Sequence, residues 1–155
     1  MAEVSDLDEP LEPALDFLQH LWRLNHALER MSLTMDRKLG ITAQQRLVLR
    51  CIGQYPGLAA SQLAGVLHLD RGTVSVALAR LSAKGLVVGK REAADRRRVA
   101  LNLSARGRDL VKPSALTVEA SVDRLLRRNG AASIRTVRRV LQDLADDLNA
   151  QVEKA

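Results

Sequence analysis

A chain of 155 residues has room for one domain with appendages and is too short for a two-domain enzyme. Apolar residues at 46% and charged residues at 27% are ordinary globular usage, but Phe17, Trp22 and Tyr55 are the only aromatics, too few for the base-stacking platforms of single-strand and RNA binders. Lys plus Arg number 24 against 18 Asp plus Glu, and the resulting +6 favours anionic partners, nucleic acid before an anionic membrane surface.

Residues 1–12 carry Glu3, Asp6, Asp8, Glu9 and Glu12 and no basic residue, the reverse of a secretory leader, so an acidic disordered tail and no export are expected. Next, Ala14, Phe17, Leu21, Leu24, Leu28, Met31 and Met35 form an unbroken heptad seam and predict a helix over 13–38, with Pro13 in its first turn and Gly40 past its end. Thr42 with Gln45 three residues on is a capping-box signature. The helix it opens has Val48, Cys51, Ile52 and Tyr55 on one apolar face and stops at Pro56-Gly57. A short helix follows over Ala60 to Leu67, with Leu63, Ala64 and Leu67 inward and a turn at His68 and Leu69.

Asp70 is a good N-cap for the next helix, which buries Val74, Ala77, Leu78 and Leu81 and ends at Lys84 before Gly85. Leu86 to Arg91 reads as a strand, Glu92 to Asp95 as a turn, and Arg96 to Leu103 as a second strand with Val99, Leu101 and Leu103 alternating; Ser104 then caps a further helix. Val111, Ala115, Val118, Val122 and Leu125 resume the helical spacing, with a bend or late start expected near Pro113. After Asn129 and Gly130 a last helix carries Ile134, Val137, Leu141, Leu144 and Leu148.

Short helix, tight turn, helix and basic hairpin is the winged form of the helix-turn-helix. The expected fold is mostly α with a small two- to three-stranded β-wing. The DNA-binding domain spans 41–103, an N-terminal dimerisation helix 13–38 and C-terminal dimerisation helices 104–155. Dimerisation is favoured over a self-contained bundle because three long seams want partners that so small a domain cannot supply.

Charge is concentrated. Residues 70–108 hold 10 basic and 3 acidic residues, whereas residues 1–69 are net −2 and residues 109–155 net +1. The helix from Asp70 to Lys84 presents Arg71, Gly72, Thr73, Ser75, Val76, Ala79 and Arg80 away from its buried stripe. Small side chains admit such a helix deep into a major groove; the hydroxyls and Arg80 reach phosphates or base edges, and Val76 offers a methyl contact to thymine. On the hairpin, Lys90, Arg91, Arg96, Arg97 and Arg98 suit the narrow minor groove of A·T tracts. Asp95 lies two residues before Arg97, so a strand would put both on one face and let the carboxylate orient the guanidinium; an ordinary surface ion pair fits the same spacing.

The strings Leu39-Gly40-Ile41-Thr42, Leu58-Ala59-Ala60-Ser61-Gln62-Leu63-Ala64, Thr73-Val74-Ser75, Lys84-Gly85-Leu86-Val87, Asp95-Arg96-Arg97-Arg98 and Leu103-Ser104 before Gly107 resemble the MarR family of bacterial transcription regulators, over roughly residues 15 to 150. The resemblance implies a dimer with interlocking terminal helices, each winged domain on half of a palindromic operator, Arg97 in the minor groove with Asp95 as its partner, and Thr73 and Ser75 on the recognition helix. Val76 and Ala79 depart from the family's arginine and acidic residue, which implies leaner direct readout and a larger share for the wing and DNA shape. The family also implies a small anionic or phenolic effector. Leu18 and Trp22, flanking the first seam, are candidates to line its pocket, with plain packing the alternative.

Cys51, the single cysteine, excludes an internal disulfide; on its apolar stripe it reads as an inert thiol rather than a redox sensor. His20, His26 and His68 lack metal-ligand spacing, and no phosphate loop or nucleophile elbow occurs, so no metal, no cofactor and no catalysis are expected. The longest uncharged stretch, Cys51 to Leu69, is broken by Gln54, Pro56, Gly57, Ser61 and Gln62 and is no membrane span. The function expected is a homodimeric, sequence-specific, double-stranded DNA-binding transcription regulator. It would be a ligand-responsive repressor, cytoplasmic and nucleoid-associated; a sequence-independent architectural DNA-binding protein is the alternative.

Overall fold

The first 27-residue helix, α1 (Pro13–Leu39), follows the heptad seam from end to end, and its Pro at the first helical position costs no hydrogen bond because that N–H has no intrahelical partner. The structure is a computed structural model and describes residues 10–91, 93–95 and 98–155. The expected features of residues 1–9, Glu92, Arg96 and Arg97 therefore lie outside the described residues.

The chain divides into two compact units, at Pro113 and Ser114. In the first, α1 is followed by α2 (Ala43–Gln54), α3 (Ala60–Leu67), α4 (Arg71–Ala83), β1 (Val87–Arg91), β2 (Val99–Leu103) and α5 (Ala105–Leu110); the second holds α6 (Val118–Arg128) and α7 (Ala131–Lys154). The capping box of α2 is complete: the Gln45 N–H donates to the Thr42 hydroxyl at 3.2 Å and the Thr42 N–H to Gln45 Oε1 at 3.4 Å.

The core lies where α2, α3, α4 and the base of the hairpin meet. Ile41, Val48, Leu49, Ile52, Leu63 and Leu81 are wholly buried there, joined by Val74, Ala77, Leu86, Val87 and Leu101. Cys51 belongs to it as well, whereas Tyr55, expected on the same stripe, is exposed because α2 ends beside it. Gly85 closes α4 in the left-handed region at φ 69°, which lets the Leu86 N–H reach back to the Leu81 carbonyl at 3.0 Å. At Gly107 a Cβ would stand 2.1 Å from the Leu86 carbonyl oxygen, so only glycine lets α5 pack onto the start of β1.

The hairpin pairs Val87 with Leu103 through Arg91 with Val99, antiparallel. The third strand that the sequence left open is one residue long: Leu58 bridges Leu101, whose N–H donates to the Leu58 carbonyl at 2.9 Å. Two expectations change. β2 begins at Val99 rather than Arg96, and the segment from Val111 to Thr117 is not helical, so Val111 and Ala115 lie outside α6. Pro113 gives the physical reason for the second, since it has no N–H with which to continue α5. Thr117 then starts α6 by accepting from the Ala120 N–H at 3.3 Å.

Candidate nucleic-acid interface

The recognition surface is built on α4. Its N-cap is Asp70, which accepts from the Thr73 N–H at 2.8 Å and also from the Thr73 hydroxyl. Those bonds hold the Asp70 carboxyl below the usual carboxylate range, the Thr73 side chain being the larger cause. Val74, Ala77 and Leu81 are buried and fix the rotation of the helix, leaving Arg71, Gly72, Ser75, Val76, Ala79 and Arg80 exposed.

At about 100° per residue, Gly72, Val76 and Ala79 form the middle of that exposed face. Thr73 and Arg80 line one edge; Ser75 and Arg71 line the other. A smooth centre between two edges, each with one hydroxyl and one guanidinium, matches a groove floor between two phosphate walls. On the Thr73 and Arg80 edge, α4 shares a cleft with Thr42, Gln44 and Gln45 at the start of α2. Thr73 differs from the expectation in one respect: its hydroxyl proton is committed to Asp70, so toward DNA it offers an acceptor and a methyl group.

The ribbon leaves the core at Val87, and Val88, Gly89, Lys90 and Arg91 are all exposed. Asp95 sits in the hairpin turn, where its carbonyl accepts the Arg98 N–H at 3.0 Å, and not in β2. Arg98 turns back to α3, donating to Gln62 Oε1 at 3.0 Å, and lines with Asp95, Ala60 and Ser61 a cleft at the start of that helix. Arg96 and Arg97 lie outside the described residues.

Not all of the basic segment is surface charge. Lys84 donates to the Gly40 carbonyl at 2.6 Å and to Gln45 Oε1 at 3.2 Å, tying the end of α4 to the end of α1. Arg106 donates to the Lys84 carbonyl and Arg108 to the Leu103 carbonyl. By contrast, the side chains of Arg71, Arg80, Lys90 and Arg91 are exposed and make no hydrogen bond or ion pair among the described residues.

Sequence reasoning overlooked Arg46, whose guanidinium is fully buried and donates to backbone carbonyls of residues 110–112. An arginine one place after the capping glutamine carries no signal of burial. Leu18 and Trp22 stand exposed on α1. Burial pushes the Cys51 thiol above its ordinary value, which keeps it protonated and unreactive. Among the described residues no group of acidic, histidine and cysteine side chains is placed to hold a metal, and no helix is long and apolar enough to cross a membrane.

An exposed, small-centred second helix beside a cationic two-stranded ribbon defines a winged helix-turn-helix protein. A model of the MarR family matches residues 39–98. The HTH-type transcriptional repressor Rv2887 of Mycobacterium tuberculosis is 31% identical over 109 residues, which span 70% of this chain and 78% of that protein. The chain belongs to the MarR family of transcription regulators. The solved complex of Rv2887 with p-aminosalicylic acid is similar at a TM-score of 0.52 and 28% identity, covering 88% of this chain and 99% of that one. The S. aureus MepR–DNA complex shares the fold at a TM-score of 0.67 and 21% identity, covering 84% and 97%.

Proposed function

We propose that the protein is a homodimeric repressor that recognises a palindromic operator in double-stranded DNA, cytoplasmic and associated with the nucleoid. It lays the helix of residues 70–84 in the major groove and the wing of residues 88–98 in the minor groove. The observation that carries this reading is the exposed face of α4, small at its centre and edged by Arg71 with Ser75 and by Thr73 with Arg80, next to Lys90 and Arg91, whose exposed side chains have no partner among the described residues. Arg97 is the residue that enters the minor groove, and Arg98 supports the wing from Gln62.

Dimerisation through residues 13–38 and 104–155 is supported by the seam residues, since Phe17, Leu24 and Leu28 of α1 and Val137, Leu141 and Leu148 of α7 are exposed in the single chain. A small anionic or phenolic effector is supported by the p-aminosalicylic acid complex of Rv2887. No enzymatic step is needed for any part of this role.

The test is selection of bound sequences from random duplexes, followed by footprinting. The expected result is a bounded palindromic footprint with half-sites about 10 bp apart, weakened when p-aminosalicylic acid is added. Equal binding to every duplex would instead make the protein an architectural one. On the selected operator, Arg97→Ala is expected to cost about 1–3 kcal/mol of binding with the fold intact.

A further inference from the structure

The largest wholly buried side chain among the described residues is a charged one, Arg46, at 1% exposure on α2. A guanidinium is expensive to remove from water unless its N–H groups are bonded. Here they donate to the carbonyls of Leu110, of Val111 at 3.5 Å and of Lys112 at 3.0 Å.

Those acceptors are the ones that the end of α5 leaves over. The Gly107 and Asp109 carbonyls already accept from the N–H groups of Val111 and Lys112, both at 3.2 Å. Pro113 brings no N–H, and no helical turn follows to satisfy the next carbonyls. A side chain 64 to 66 residues away therefore terminates the helix. It comes from a helix set in the core of the winged unit, since Val48, Leu49 and Ile52 of the same helix are wholly buried. The anchored residues end one position before Pro113, the last residue of the first compact unit.

We propose that Arg46 is a positioning residue for DNA binding. By gathering the carbonyls of residues 110–112 it fixes the point at which the winged unit passes the chain on to α6 and α7, and so sets the half-site spacing that the dimer accepts. This rests on the operator-bound dimer proposed above. Two winged units with a fixed exit match one spacing; units whose exit is loose accept several and hold each less tightly, because the effective concentration of the second unit at its half-site falls. The planar guanidinium is suited to the task because its five N–H groups span neighbouring acceptors, whereas a lysine ammonium keeps the charge but not the fork.

The test uses the full chain with Arg46→Lys and Arg46→Met, each first checked for cooperative unfolding and for dimer size. Anisotropy is then measured on a single half-site duplex, on the selected operator, and on operators whose spacing is changed by one or two base pairs. Half-site affinity should stay within about twofold of the parent. Affinity for the selected operator should fall about tenfold, and the penalty for altered spacing should shrink. Without DNA, hydrogen exchange at the amides of residues 111, 112 and 114–116 should quicken while that of α4 does not.

A parallel loss on half-site and full operator, an unchanged spacing profile, or failure of both variants to fold would reduce Arg46 to a stabilising residue and overturn the proposal. A parent protein with no preferred spacing would sink the operator-bound dimer instead, and the exchange experiment would still decide whether Arg46 holds the connector.

Discussion

Asp70 shows how a cap and a contact surface compete for the same atoms. Its carboxylate takes both the N–H and the hydroxyl of Thr73, so the first turn of the recognition helix is held by a group that titrates in acid. The bonds depress the folded-state pKa, the Thr73 hydroxyl contributing most. A depressed acid stabilises the fold at pH above its unfolded value of about 3.9 and loses that contribution as pH falls through the lower folded value. Asp70→Asn keeps a capping oxygen but removes the titration. Its urea midpoint should therefore vary less with pH below about 4 than that of the parent. An identical acid slope in both proteins would show that the cap carries no such linkage.

At the scale of elements, the turn between α3 and α4 is the strained one. His68 is the only described non-glycine residue at positive φ, at 50°, and it lets the Leu69 N–H bond the Ala64 carbonyl at 3.1 Å. A left-handed residue with a Cβ costs about 1–2 kcal/mol, while glycine there would add about 0.5–1 kcal/mol of unfolded-chain entropy to lose. His68→Gly should thus stabilise the protein by about 0.5 kcal/mol, and His68→Val should destabilise it, both read from urea midpoints. A destabilised glycine variant would mean that the imidazole contributes more than its backbone costs.

This turn also marks where sequence stops being sufficient. The helix boundaries on either side were legible, because Leu63, Ala64, Val74, Ala77 and Leu81 keep a helical period and Asp70 is a capping residue; the backbone sign at His68 was not, since no short-range pattern encodes it. The same division holds elsewhere. Alternation exposed the hairpin, but not that β2 would begin at Val99. Pro113 announced an interruption, yet Val111 and Ala115 still matched the period of a helix they do not join. Arg46 was illegible because burial of a charge depends on carbonyls more than 60 residues away.

For the molecule as a whole, what matters is which cations are available to a duplex. Of the basic residues between Asp70 and Arg108, Lys84, Arg106 and Arg108 are committed to backbone carbonyls, so net charge overstates the contact surface. Arg71, Arg80, Lys90 and Arg91 remain exposed without partners among the described residues. If each meets one phosphate in both halves of a dimer, about eight counterions are displaced, and log affinity should fall against log salt with a slope of about −7. Replacing Lys90 and Arg91 by glutamine removes about four of those contacts and should bring the slope to about −4. Arg106→Gln removes the same kind of charge from the same stretch of sequence, but its guanidinium already serves the Lys84 carbonyl, so the slope should stay at the parent value. Equal changes from both substitutions would mean that DNA responds to the overall charge of the segment and not to the face that α4 and the ribbon present.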